Sequence, residues 1–138
     1  MYIGREGTEV VVNETIKTVA VIGASRDRAK FGNKAVRAYQ RAGWRVCPVN
    51  PRGDMIEGVP GYAAIADIPF KLDRVSLYLP PALGLAVLSE IARAAPAEFF
   101  VNPGADSPEL LAEARALGLD PILACSIVEA GYMPEEFE

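Results

Sequence analysis

Any chemistry done by this chain is done without histidine, which does not occur in its 138 residues. That removes the commonest general base, the commonest metal ligand and one half of any Ser-His or Cys-His pair. The only thiols, Cys47 and Cys125, lie far apart in the sequence. Both sit inside apolar, strand-like runs, the pattern of reduced interior cysteines, and two thiols without histidine do not make a zinc site. No metal and no catalytic residue is expected. What remains suited to a chemical task is a glycine followed by cations. Val21-Ile22-Gly23-Ala24-Ser25 runs into Arg26-Asp27-Arg28-Ala29-Lys30-Phe31-Gly32-Asn33. A glycine turn lets a ligand approach the backbone, and Arg26, Arg28 and Lys30 against a single Asp27, just before a helix, suit phosphate. Taken alone, the same charges fit a solvated surface loop equally well. The spacing excludes two common phosphate loops, since no second glycine follows at the G-x-G-x-x-G position and no G-K-[ST] is present.

The elements that must position this loop read as follows. Thr18-Val19-Ala20-Val21-Ile22 carries no charge, as in a strand buried on both faces of a parallel sheet. From Asn33 the residues Ala35, Val36, Tyr39 and Ala42 recur at helical spacing, and Gly43 supplies the stop. Trp44 to Pro51 reads as a second strand whose internal Pro48 suits an edge or distorted position. Pro51 to Gly61 is rich in Pro and Gly, too short for a crossover helix, and Val59 to Tyr62 reads as a short third strand. Arg74 to Leu79 is a further strand, followed by Pro80-Pro81 and a helix over Leu83 to Ala94 with Val87, Leu88, Ile91 and Ala95 on one face, stopped by Pro96. Glu98 to Val101 is a strand ended by Asn102-Pro103-Gly104. The next helix has Ser107 as cap, Pro108 at its first position, Glu109 at the dipole and Gly118 as terminator. Pro121 to Ser126 is the last strand, leading to a short helix and an acidic tail at Glu135, Glu136 and Glu138. Near the start, Glu9 to Val12 suggests an edge strand and Asn13 to Ile16 the opening of a short helix.

Strands alternating with helices predict an α/β layered fold with a mainly parallel sheet, in which ligands bind outside the carboxyl ends of the strands. The length suits a single domain over 1–138, with 51% hydrophobic and 23% charged residues. A net charge of −4 argues against general nucleic-acid binding. No apolar run approaches a membrane span and the acidic start is no signal peptide, so a soluble, cytoplasmic protein is expected. The strand ends carry Gly and Pro more than reactive side chains, so the rim shapes a groove and is poorly equipped for catalysis.

The end of the second strand narrows the ligand. Asn50-Pro51-Arg52 lacks the carboxylate that holds an NAD ribose, and Arg52 favours a nucleotide with an extra phosphate, NADP or coenzyme A. Together, Val21 to Ser25, Val49-Asn50-Pro51-Arg52, Tyr62 with Ala66-Asp67-Ile68-Pro69, and Pro80-Pro81 resemble the stand-alone CoA-binding domain family. That family is similar to the N-terminal domain of the succinyl-CoA synthetase alpha subunit. The resemblance implies a Rossmann-like three-layer fold that binds CoA or an acyl-CoA. It implies ligand positions at Gly23, Ala24, Ser25, Arg26 and Lys30 for the pyrophosphate, with Asn50, Pro51, Arg52, Leu79, Pro80 and Asn102 completing the site. A non-catalytic CoA-binding module is the expectation. An NADP-binding redox protein and a ligand-free domain for a protein partner are the alternatives. Cys125, where a strand meets a helix, is read as an inert core thiol in preference to one forming a mixed disulfide with CoA.

Overall fold

A computed structural model describes residues 16–138. The suggested strand at Glu9 to Val12 and all but the last residue of the helix opening at Asn13 to Ile16 lie outside the described residues. The elements run β1 (Thr18–Ile22), α1 (Phe31–Arg41), β2 (Arg45–Val49), β3 (Arg74–Leu77), α2 (Pro81–Ala94), β4 (Glu98–Val101), α3 (Pro108–Ala116), β5 (Pro121–Leu123) and α4 (Ser126–Glu129). Short 3-10 turns stand at Ile65–Asp67 and Pro134–Phe137. The five strands are all parallel, in the order β2-β1-β3-β4-β5. This is an α/β, Rossmann-like arrangement, and the order of its strands reverses between β1 and β3, with β2 on one side and β3 to β5 on the other, the topological switch point.

The pleat of β1 explains the layers. Val19 and Val21 face α1, where they meet Ala35, Val36 and Tyr39 along with Ile127 of α4 and Phe137. Ala20 and Ile22 face the opposite side with Val75, Leu77 and Phe99, covered by Leu88 and Ile91 of α2 and Leu110 of α3. Both faces are therefore dry, which is why β1 carries no polar alternation. Pro48 sits in regular register opposite Val21 on β2, at the sheet edge, so its missing N–H points away from the ladder. Helix α2 begins at Pro81, two residues before the first residue expected of it, because proline fits the first helical turn. It ends on Ala95 in a left-handed conformation, φ 48, directly before Pro96. Ser107 caps α3 as expected, its Oγ accepting from Leu110 N at 3.0 Å.

The expected strand over Val59 to Tyr62 does not form. Only isolated bridges occur, Val49 with Tyr62 and Ile56 with Val59. Pro60 has no N–H to give. At Gly61 any side chain would collide with the Asp54 carbonyl, 1.8 Å from a Cβ, so the segment is folded against its own loop. Tyr62 alone reaches β2, donating to Pro48 O at 2.9 Å and accepting from Asn50 N at 3.0 Å. The acidic tail is likewise packed: Phe137 is buried beneath Arg41, whose guanidinium carbon lies 4.5 Å from the ring centroid.

Candidate functional site

Gly23 ends β1 with φ +90, and a Cβ there would stand 2.8 Å from the Tyr78 carbonyl oxygen. Its N–H donates to Val49 O at 3.1 Å, so the turn is tied to β2 on one side and pressed on β3 on the other. Gly32 closes the same corner from the helix, since a Cβ there would lie 2.3 Å from the Gly23 carbonyl oxygen. This close packing brings the first turn of α1 against the strand end. The intervening loop folds on itself. Asp27 N donates to Ser25 Oγ at 3.0 Å, Ala29 N to Asp27 Oδ1 at 3.0 Å, and Lys30 N to Asp27 O at 3.1 Å.

Above the β1/β3 seam this corner opens a groove of about 630 Å³. One wall holds Gly23, Ala24, Ser25 and the start of α1 at Lys30, Phe31 and Gly32; the other holds Tyr78, Leu79 and Pro80, with Pro103 to Ala105 at the far end and Pro51 at the near end. The N-terminus of α1 has neither a side-chain cap nor an acidic residue in its first turn. Its first amides and its dipole therefore remain available to an anion. Among the described residues no carboxylate lines the groove. Beside it, sharing Ala24, Ser25 and Pro51, lies a second cleft of about 320 Å³ that holds Arg26, Asn50 and Arg52 together with the carboxylates of Asp27 and Asp54. Arg26 and Lys30 are exposed, and neither has an ion-pair partner among the described residues.

Ten of the positions singled out in the sequence thus lie on the groove or the adjoining cleft: Gly23, Ala24, Ser25, Lys30, Pro51, Leu79 and Pro80 on the first, Arg26, Asn50 and Arg52 on the second. Asn50 shapes its own turn, its Oδ1 accepting from Arg52 N at 3.1 Å and Asp54 N at 3.0 Å. Arg52 projects into solvent with Asp54 3.6 Å away. Asn102 lines neither space. It is fully buried, donating to Ser76 Oγ and Leu77 O at 2.9 Å each and accepting from Ser126 N at 2.8 Å. Its amide joins β3, the end of β4 and the start of α4 beneath the rim. Arg28 also leaves the groove, pairing with Glu57 at 2.5 Å.

Some lining residues carried no sequence signal as site residues. Phe31 is 53% exposed at the mouth of the groove, an aromatic left in water at the first position of a helix. Tyr78 lines the wall, yet its hydroxyl is buried with no hydrogen-bond partner among the described residues. Burial pushes its ionisation well up, and the neighbouring Cys125 and Tyr39 add to the shift. Cys125 directly precedes α4, outside the groove and without a capping hydrogen bond from its side chain, and Cys47 is buried in β2 with its thiol pushed up to about 11 by burial. Both cysteines are free, and no cluster of metal-ligating side chains occurs among the described residues. No helix among them is long and apolar enough to cross a membrane.

Residues 17–131 match the CoA binding domain family. An ADP-forming acetate–CoA ligase II from Archaeoglobus fulgidus is 37% identical over 79 residues, covering 56% of this chain and 12% of the ligase. The chain thus spans about an eighth of that relative's length. Among solved structures, a conserved hypothetical protein from Pyrococcus furiosus is 32% identical with a TM-score of 0.76, covering 83% of this chain and 99% of that one. A Thermus thermophilus protein is 28% identical with a TM-score of 0.76, covering 84% of this chain and 89% of its own.

Proposed function

Because this chain belongs to the CoA binding domain family, we propose that it binds coenzyme A, free or as an acyl thioester, in the groove over the β1/β3 seam. The observation that carries this reading is the uncapped N-terminus of α1 facing a carboxylate-free groove beside Arg26 and Lys30. In it the pyrophosphate lies against the first turn of α1, between Ser25 and Lys30. The 3′-phosphate lies toward the cleft of Arg26 and Arg52. The pantetheine arm runs along Tyr78, Leu79 and Pro80 toward Pro103 and Gly104. Ser25 keeps its hydroxyl hydrogen for the ligand, since its oxygen is already accepting from Asp27 N. Asn102 supports this rim from below.

The module is proposed to bind without catalysing. The chain has no histidine, and among the described residues neither carboxylate nor thiol lines the groove, so none of them stands as a general base beside a bound thioester. Ligation is named for relatives of which this chain matches about an eighth. A cytoplasmic location suits its free thiols.

A thermal-shift panel of CoA, dephospho-CoA, NADP and NAD at fixed salt tests the reading. CoA at ~100 times its dissociation constant adds about 2.7 kcal/mol, which for a domain of this size raises the melting temperature by roughly 10 °C. CoA is expected to lead the panel. A lead for NADP would replace it with the redox reading, and no shift with any ligand would favour a domain for a protein partner.

A further inference from the structure

We propose that Glu57 is the positioning residue of the phosphate loop, an inference that rests on the CoA reading of the groove. Glu57 and Gly58 form a two-residue turn between Ile56 and Val59, which exchange both backbone hydrogen bonds at 3.1 Å. Both central residues have positive φ, 50 at Glu57 and 80 at Gly58. That turn type favours Asn or Asp at its first position, and a long side chain held there is strained. The strain has a use. One carboxylate oxygen of Glu57 takes Arg28, at 2.5 Å, and the other takes Asn33 Nδ2 at 3.0 Å, while its backbone carbonyl takes Gln40 Nε2 at 2.9 Å. Asn33 is fully buried and passes the constraint on, donating to Ser25 O at 2.8 Å. Arg37 closes the circle, donating to Asn33 Oδ1 and to Arg28 O at 2.7 Å each.

Glu57 therefore fixes the loop from Ser25 to Lys30 at two points, through Asn33 at its start at Ser25 and through Arg28 at its tip. It also decides which cations face the ligand. Arg28 is turned to Glu57, whereas Arg26 and Lys30 remain on the clefts. The Asn33 hydrogen bond holds the Glu57 carboxyl below its ordinary range against the opposing effect of burial, and Arg28 and Arg37 add to this, so the clamp is charged at neutral pH. The Glu57 carboxylate itself bonds to no residue of the groove lining. It acts through the loop.

Glu57→Asn separates positioning from mere stability, because asparagine suits the turn but is too short to reach Arg28 and Asn33 together. Its melting temperature is expected within about 3 °C of the wild type, with CoA affinity weakened roughly tenfold, the size of one lost charge-assisted contact. Amide hydrogen exchange in the ligand-free protein is expected to quicken at Asp27, Ala29 and Lys30 and to stay unchanged in β3 and β4. Glu57→Gln, which keeps the length but presents a donor to one of its two partners, is expected to lie between. Affinity within twofold of wild type in either folded variant would overturn the proposal, as would unchanged exchange in the loop. So would a loss of affinity that merely follows a fall in melting temperature. If wild-type protein bound no CoA, the ligand assignment would fall, and the exchange rates would still decide whether Glu57 holds the loop.

Discussion

Replacing Gly23 by alanine perturbs the corner on which the groove is built. A left-handed backbone costs a residue with a Cβ about 1–2 kcal/mol, and φ +90 lies beyond the comfortable part of that region. The new methyl would also stand 2.8 Å from Tyr78 O and 3.2 Å from Leu79 Cδ2. The first of these is backbone and cannot rotate away, so β1 and β3 must part, an overpacking cost of about 1–3 kcal/mol. Together these remove about 2–5 kcal/mol from a total stability of order 5–15 kcal/mol. The variant is thus expected to fold at room temperature but to melt roughly 8–20 °C lower. Displacing Tyr78 and Leu79 also moves the groove wall, and CoA affinity measured well below the melting transition should fall roughly tenfold, equivalent to 1.4 kcal/mol. Circular-dichroism melts followed by calorimetric titration read both effects. A fall of less than about 3 °C with unchanged affinity would refute the close approach of the glycine turn to β3.

Two further perturbations address the frame below the rim. Asn102→Ala should cost roughly 2–4 kcal/mol in urea denaturation, because it strips partners from Ser76, Leu77 and Ser126 inside the core; a loss under ~1 kcal/mol would contradict its role as the joint between β3, β4 and α4. Cys47 predicts alkaline lability. Its folded thiol keeps the proton to about 11, above the ordinary value of 9.0, so between these values the unfolded chain binds fewer protons and stability falls as pH rises. That contribution is fully present below pH 9 and lost through the folded value. Cys47→Val should flatten the decline, leaving the part due to Tyr62 and Tyr78, whose ionisation burial also raises, and an identical slope in the two proteins would contradict it.

The fold was legible where local chemistry and tertiary need coincide. Glu98 to Val101 is flanked by breakers and apolar throughout its buried part, so its limits could be read to the residue. Gly23 could be located because the strand before it has no polar alternation and the cations follow at once. Asn102 is a ligand position only through the family resemblance, which carries no information on where its side chain turns. What turns it inward is Ser76 and Ser126, residues 26 and 24 positions away, which no local pattern reveals. Glu57 was hidden for a related reason: it lies in an aperiodic stretch, and its partners come from α1 and the loop before it. Val59 to Tyr62 has strand-forming residues at its ends, yet Pro60 and the close packing of Gly61 deny it a ladder.

The central claim is that phosphates are held by the uncapped start of α1 with Arg26 and Lys30. Calorimetric titration of CoA into wild-type protein and into the Arg26→Ala/Lys30→Ala variant tests it most directly. Each charge-assisted contact is worth about 1.5–3 kcal/mol, less a discount because both side chains start in solvent. The double variant should therefore bind CoA between roughly ten and a hundred times more weakly, with an unchanged melting temperature in the absence of ligand. Equal dissociation constants for the two proteins would place the phosphates elsewhere and contradict the account.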